Sequence, residues 1–229
     1  MYSPRVKICG IKTLEIALYA AENGADSLGF VFFDKSPRAV CAAAVRGITS
    51  NLPPFINKTG VFVDKNIDEI LDIAFASGID TIQLHSGSAI YNREFIENLS
   101  RRCSFPVIMA MGMEFIDENS VAALMNDPQP GISAWMIDNS GGTGRPAIWH
   151  EISDKRTAAF LRSRVIIAGG INISNVGYLL EKMLPYGIDV SSGLEIERGV
   201  KDKGLIKKFM GHVREISEVY LDSENGALY

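Results

Sequence analysis

Cys9 closes a short apolar run, 6–9, and is followed directly by Gly10. A free cysteine is most often a small buried hydrophobe. At a strand terminus its sulfur can also meet a ligand. Lys7 has the same strand parity and should point to the same side. An ammonium there would favour the thiolate, the form that acts as base or nucleophile. Asp138 ends another apolar run and leads into Asn139-Ser140-Gly141-Gly142-Thr143-Gly144. An Asp before such a segment is commonly an Asx turn or a cap. Set across from a thiol, it can equally be half of an acid/base pair. Arg38 follows Ser36-Pro37, and its planar guanidinium suits a carboxylate or a phosphate; the alternative is a solvated surface arginine. His85, after Gln83-Leu84, is a core histidine, a substrate contact or a support for one. Glu195 and Asp202 read as caps of loops and helices. Cys41 and Cys103 fall in helical contexts and read as packing residues.

Two further segments suit an anion. Gly169-Gly170 and Ser192-Gly193 each follow an apolar run. Backbone N–H groups approach an anion closely only where Cβ is absent. Either glycine pair alone would read as a tight turn. Both together, after successive runs near the end of the chain, read as a phosphate site.

These residues need a frame, and the hydropathy supplies one. Apolar runs occur at 6–9, 27–33, 59–63, 79–84, 106–111, 133–137, 164–168 and 187–190. Their spacing, roughly 26 residues, leaves room for a helix between each pair. Helical patterns fill the gaps at 13–21, 67–74, 91–102, 114–125, 158–161 and 175–184, and one follows at 205–221. A weaker one, 39–50, is interrupted by Gly47. Eight such units form either an open doubly wound sheet or a closed barrel. No composition shift or linker divides the chain, so the expectation is α/β, a single (β/α)8 TIM barrel over 1–229 with a fraying tail at 222–229. Glycines and small polar residues crowd the ends of the strands, the face on which such a barrel does its chemistry. Closure makes strands 1 and 8 neighbours, so Asp189 should pair with Lys7 and keep it from being a lone buried charge.

Composition sets bounds. The chain has 229 residues, 47% of them apolar and 22% charged, which suits a folded globular protein and excludes a disordered one. A net charge of −4 argues against nucleic acid as a partner. No run reaches the ~18 apolar residues of a membrane span. The three cysteines form no CxxC pair and no His-rich cluster, which suggests a reducing cytoplasm and no metal.

Taken together, the motifs resemble those of the phosphoribosylanthranilate isomerase family. Lys7-Ile8-Cys9-Gly10-Ile11-Lys12 resembles its opening, and Gly29-Phe30-Val31-Phe32 with Ser36-Pro37-Arg38 its second strand. Gly60-Val61-Phe62-Val63 and Gln83-Leu84-His85 fit its third and fourth strands. Asp138 with Gly141-Gly142-Thr143-Gly144 resembles its glycine-rich loop. Ala168-Gly169-Gly170-Ile171, Asp189-Val190-Ser191-Ser192-Gly193-Leu194-Glu195 and Gly199-Val200-Lys201-Asp202 complete the likeness, which runs from about Val6 to Phe209. The chain departs from the pattern at Ser86, at Arg145-Pro146 and around 109–113.

The resemblance implies an Amadori rearrangement in tryptophan biosynthesis. N-(5-phosphoribosyl)anthranilate becomes 1-(2-carboxyphenylamino)-1-deoxyribulose 5-phosphate without a cofactor. It implies that Asp138 is the acid and Cys9 the base, and that Arg38 holds the anthranilate carboxylate. His85, Gly142, Gly144, Gly169, Gly170, Ser192 and Gly193 would contact the substrate, the loops after strands 7 and 8 taking its phosphate. Family members occur as monomers and as homodimers. The rivals are another sugar-phosphate isomerase on the same barrel and a non-catalytic phosphate-binding barrel. The histidine-pathway isomerase, the nearest of these, resembles a two-aspartate design, whereas this chain has Cys9 on strand 1.

Overall fold

The computed structural model describes residues 2–85, 90–112, 115–116, 118–126, 129–138, 148–149 and 154–226. Eight parallel strands close on themselves: β1 (Arg5–Cys9), β2 (Ser27–Phe32), β3 (Asn57–Phe62), β4 (Thr81–His85), β5 (Val107–Met111), β6 (Ile132–Asp138), β7 (Val165–Ala168) and β8 (Gly187–Val190). Their order around the barrel is β1-β8-β7-β6-β5-β4-β3-β2. This is the closed barrel, not the open sheet. Each boundary lies within two residues of the apolar run that signalled it.

The helices are α1 (Leu14–Glu22), α2 (Ala42–Thr49), α3 (Ile67–Ser77), α4 (Arg93–Arg102), α5 (Glu118–Asn126), α6 (Lys155–Arg164), α7 (Val176–Met183) and α8 (Lys203–Gly226). Local chemistry sets several of their ends. Thr13 caps α1, its hydroxyl accepting from the Ile16 N–H at 3.3 Å. Asn66 and Glu69 cap each other reciprocally at the start of α3, and Gly78 ends that helix at φ 68°, which only glycine adopts without strain. Gly47 stays inside α2, so the weaker pattern at 39–50 is a helix, though a shorter one. α8 runs past 221, where its sequence pattern stops.

Between sheet and helices lies the main apolar layer, in which Ile8, Leu28, Phe30, Phe62 and Phe209 are fully buried. Each contributes roughly 1.5–3 kcal/mol by leaving water. The barrel's inside is divided. Ile108, Ala110, Met136, Ile166 and Ala168 fill one half. Ser27, Asn57, Thr59 and Thr81 hydrogen-bond to one another in the other half. The packed interior holds the strand ends at fixed separations, and the site is built on those ends.

Candidate functional site

β1, β4 and β6 carry Cys9, His85 and Asp138 as their last residues, so all three stand at the C-terminal rim of the barrel. His85 Nε2 lies 3.3 Å from Asp138 Oδ2, and both side chains are partly buried. This contact gives His85 a supporting place beside Asp138, out of the apolar core.

One layer below Cys9, Lys7 Nζ bonds Asp189 Oδ1 at 2.9 Å, both groups being buried. The β1–β8 register sets Lys7 directly opposite Asp189, so the pair expected from parity and closure is present. The Lys7 ammonium also lies beside the Cys9 thiol: a Cβ built on Gly29 would meet Cys9 Sγ at 2.8 Å and Lys7 Nζ at 2.9 Å. Burial works against the Lys7 charge, but Asp189 and the thiol outweigh it and raise its pKa. Lys7 favours the thiolate of Cys9, as its parity implies, and Lys201 does too; burial, which the sequence does not measure, outweighs both and raises the thiol. Lys7→Met would leave Asp189 a buried carboxylate without its cation, at an expected cost of about 3–5 kcal/mol in denaturant unfolding. Lys7→Met/Asp189→Leu should recover most of that loss. A single variant as stable as the parent would mean that the pair is not buried as a charge pair.

Arg38 is not a solvated surface arginine. Its Nε donates to Glu195 Oε1 at 2.7 Å and its Nη2 to Glu195 Oε2 at 2.8 Å. Lys201 Nζ also donates to Glu195 Oε1, and to Ser191 O at 3.2 Å and Ser191 Oγ at 3.3 Å. Ser191 Oγ in turn donates to the Cys9 carbonyl at 3.1 Å. Burial pushes the Glu195 carboxyl up. The hydrogen bonds from Arg38 and Lys201, the Lys201 charge and the Gly199 N–H prevail and hold it at about 2. Reading Glu195 as a cap missed this. Residues 195–197 and 200–201 form a small hairpin that sets Glu195 opposite Lys201, and the turn at Arg198-Gly199 was the available signal. Nothing local pointed to Arg38, 157 residues away. Asp202 does serve as a cap, accepting from the Leu205 N–H at 2.7 Å.

The loops after β7 and β8 lie against each other. Gly169 and Gly170 have φ of 88° and 66°, values that exclude other residues without strain. Gly193 packs so tightly on the Ile171 carbonyl that a Cβ would collide with it. Asn175 Nδ2 donates to Gly170 O at 3.0 Å, pinning the first loop. The backbone N–H groups of Gly169, Gly170, Ser192 and Gly193 have no acceptor among the described residues. Four such donors lie at one end of the mouth, the kind of backbone group that can meet an anion. Gly142 and Gly144 lie outside the described residues.

The rim thus carries a thiol, a carboxylate and a guanidinium, with the two glycine loops after β7 and β8 beside them. Comparison with known proteins identifies the family of the chain. The family model described as N-(5'phosphoribosyl)anthranilate (PRA) isomerase matches residues 6–212. The N-(5'-phosphoribosyl)anthranilate isomerase of Thermotoga neapolitana is 39% identical over 207 residues, which cover 90% of this chain and 96% of the relative. The crystal structure of the phosphoribosyl anthranilate isomerase from Thermus thermophilus superposes with a TM-score of 0.75 at 32% identity, covering 93% of this chain and 99% of the other. A further crystal structure, of a phosphoribosyl anthranilate isomerase in complex with reduced 1-(o-carboxyphenylamino)-1-deoxyribulose 5-phosphate, matches with a TM-score of 0.71 at 32% identity, over 93% of this chain and 99% of that one.

Proposed function

This chain belongs to the N-(5'phosphoribosyl)anthranilate (PRA) isomerase family, and we propose that Cys9 and Asp138 carry out its Amadori rearrangement as base and acid. The chain acts on PRA in tryptophan biosynthesis, within a reducing cytoplasm in which Cys9, Cys41 and Cys103 stay free thiols. One observation carries the assignment of roles: a thiol and a carboxyl end their strands at the same rim, with a guanidinium and the glycine loops after β7 and β8 beside them.

The Asp138 carboxyl gives its proton to the furanose ring oxygen. The C1′–O bond breaks and its electron pair stays on that oxygen, leaving a cationic Schiff base between C1′ and the anthranilate nitrogen. That cation acidifies the C2′–H, so a modest base suffices. Once the Cys9 thiol has lost its own proton to solvent, its sulfur removes the C2′ proton, and the electron pair moves through C1′ to neutralise the nitrogen. The resulting enolamine tautomerises to the ketone. His85 keeps the Asp138 carboxyl turned toward the ring oxygen. Lys7 and Lys201 favour the charged sulfur when it forms. Arg38 receives the anthranilate carboxylate, and the loops after β7 and β8 receive the 5-phosphate. Holding the substrate at both ends supplies orientation to the reacting carbons.

The test is the loss of substrate fluorescence, with PRA generated in place from anthranilate and phosphoribosyl pyrophosphate. The parent protein should consume the signal. Arg38→Ala should raise KM roughly tenfold to a hundredfold, with a smaller fall in kcat. An unaltered KM would mean that the carboxylate is held elsewhere.

A further inference from the structure

Glu195 is saturated. Its Oε1 accepts from Arg38 Nε and Lys201 Nζ, and its Oε2 from Arg38 Nη2 and the Gly199 N–H at 3.1 Å. Four donors leave a carboxylate little capacity for a ligand, so Glu195 is not itself a substrate contact. Arg38 differs. A guanidinium has two edges that can each take a carboxylate bidentately. The Nε/Nη2 edge is occupied, whereas Nη1 has no acceptor among the described residues.

Two independent features fix the arginine in place. Gly10, at φ 83°, leaves room for the Arg38 side chain to lie directly over it, where a Cβ would overlap Arg38 Cδ. On the other side Pro37 O packs on Gly199 closely enough to exclude a Cβ there. The loop after β2 is therefore locked to the hairpin after β8. That hairpin is joined through Lys201 and Ser191 to the carbonyl of Cys9.

We infer that Glu195 is a positioning residue: it takes one edge of the Arg38 guanidinium and thereby turns the other, Nη1/Nη2, into the fork that receives the aromatic carboxylate. The chain Glu195–Lys201–Ser191 holds that fork at a set distance from the residue that carries the thiol. This rests on the reading of Arg38 as the carboxylate-binding group.

Two ligands separate that role from a merely structural one. One is reduced 1-(o-carboxyphenylamino)-1-deoxyribulose 5-phosphate, and the other is its counterpart without the carboxylate. Calorimetry on the parent protein should favour the first by roughly tenfold to a hundredfold. In Glu195→Gln that preference should shrink to about threefold or less, because the gain from a bidentate charged contact needs its geometry held. The uncarboxylated ligand should bind both proteins alike. Should Glu195→Gln fail to fold, Glu195→Asp keeps the charge but shortens the reach, and it should show an intermediate preference. Equal weakening of both ligands would reduce Glu195 to a structural brace and overturn the inference. Tighter binding of the carboxylated ligand would overturn it too, since Glu195 would then act as a repelling charge. No preference in the parent protein would instead remove the Arg38 reading, and the inference with it.

Discussion

Replacing Cys9 by alanine is expected to lower kcat roughly a hundred- to ten-thousandfold, the range for removal of a positioned proton acceptor. KM should stay near the parent value, because the substrate is held through Arg38 and the loops after β7 and β8, which the substitution does not touch. The volume change is small and lies at a strand end, so the fold should persist. Cys9→Ser supplies a finer comparison: it keeps the size but replaces the thiol with a far weaker acid, and it should fall with Cys9→Ala. The sulfur's surroundings add a pH signature. Burial raises the Cys9 thiol, so alkylation of Cys9, read peptide by peptide against pH, should have its midpoint above that of an ordinary thiol. A midpoint well below it would mean that Lys7 and Lys201 prevail over burial. Near-parental turnover in Cys9→Ala would remove the sulfur from the chemistry.

Asp138→Asn should cost kcat a similar hundred- to ten-thousandfold. Asparagine keeps the shape and can still meet His85 across the 3.3 Å contact, but it has no proton to give to a ring oxygen. The variant should therefore bind normally and fail to open the ring. Its kcat should also lose the fall on the alkaline side that a required acid imposes on a bell-shaped profile. Full activity would make Asp138 a cap. A preserved alkaline limb with reduced activity would move the acid elsewhere.

The barrel itself was legible because parallel strands buried on both faces read as short apolar runs, and a regular interval between them leaves room for a helix. The Lys7–Asp189 pair was legible too. Parity places both side chains inside, and closure makes β1 and β8 neighbours. The thiol's state was not legible in that way, since it depends on how far burial outweighs two cations, and spacing carries no measure of burial. Glu195 shows a different limit. Its partner Arg38 sits on a loop most of the chain away, brought near only when the hairpin at 195–201 folds over the loop after β2. Side chains on loops that meet across a barrel mouth have no shared periodicity to betray them. Gly10 and Gly199 carried the hidden signal, since each leaves out a Cβ where the other loop must pass. The parallel pairing of Phe115–Ile116 with Ile148–Trp149 was likewise invisible, as two-residue strands have no pattern to read.

The most direct measurement is the single-turnover loss of substrate fluorescence with PRA carrying deuterium at C2′, in the parent protein and in Cys9→Ala. If the thiolate removes that hydrogen, the variant should decay a hundred- to ten-thousandfold more slowly, and deuterium should slow it further, because C2′–H cleavage has become the limiting step. Decay in Cys9→Ala that is as fast as in the parent, or slow yet indifferent to deuterium, would contradict the assignment of Cys9 as the base.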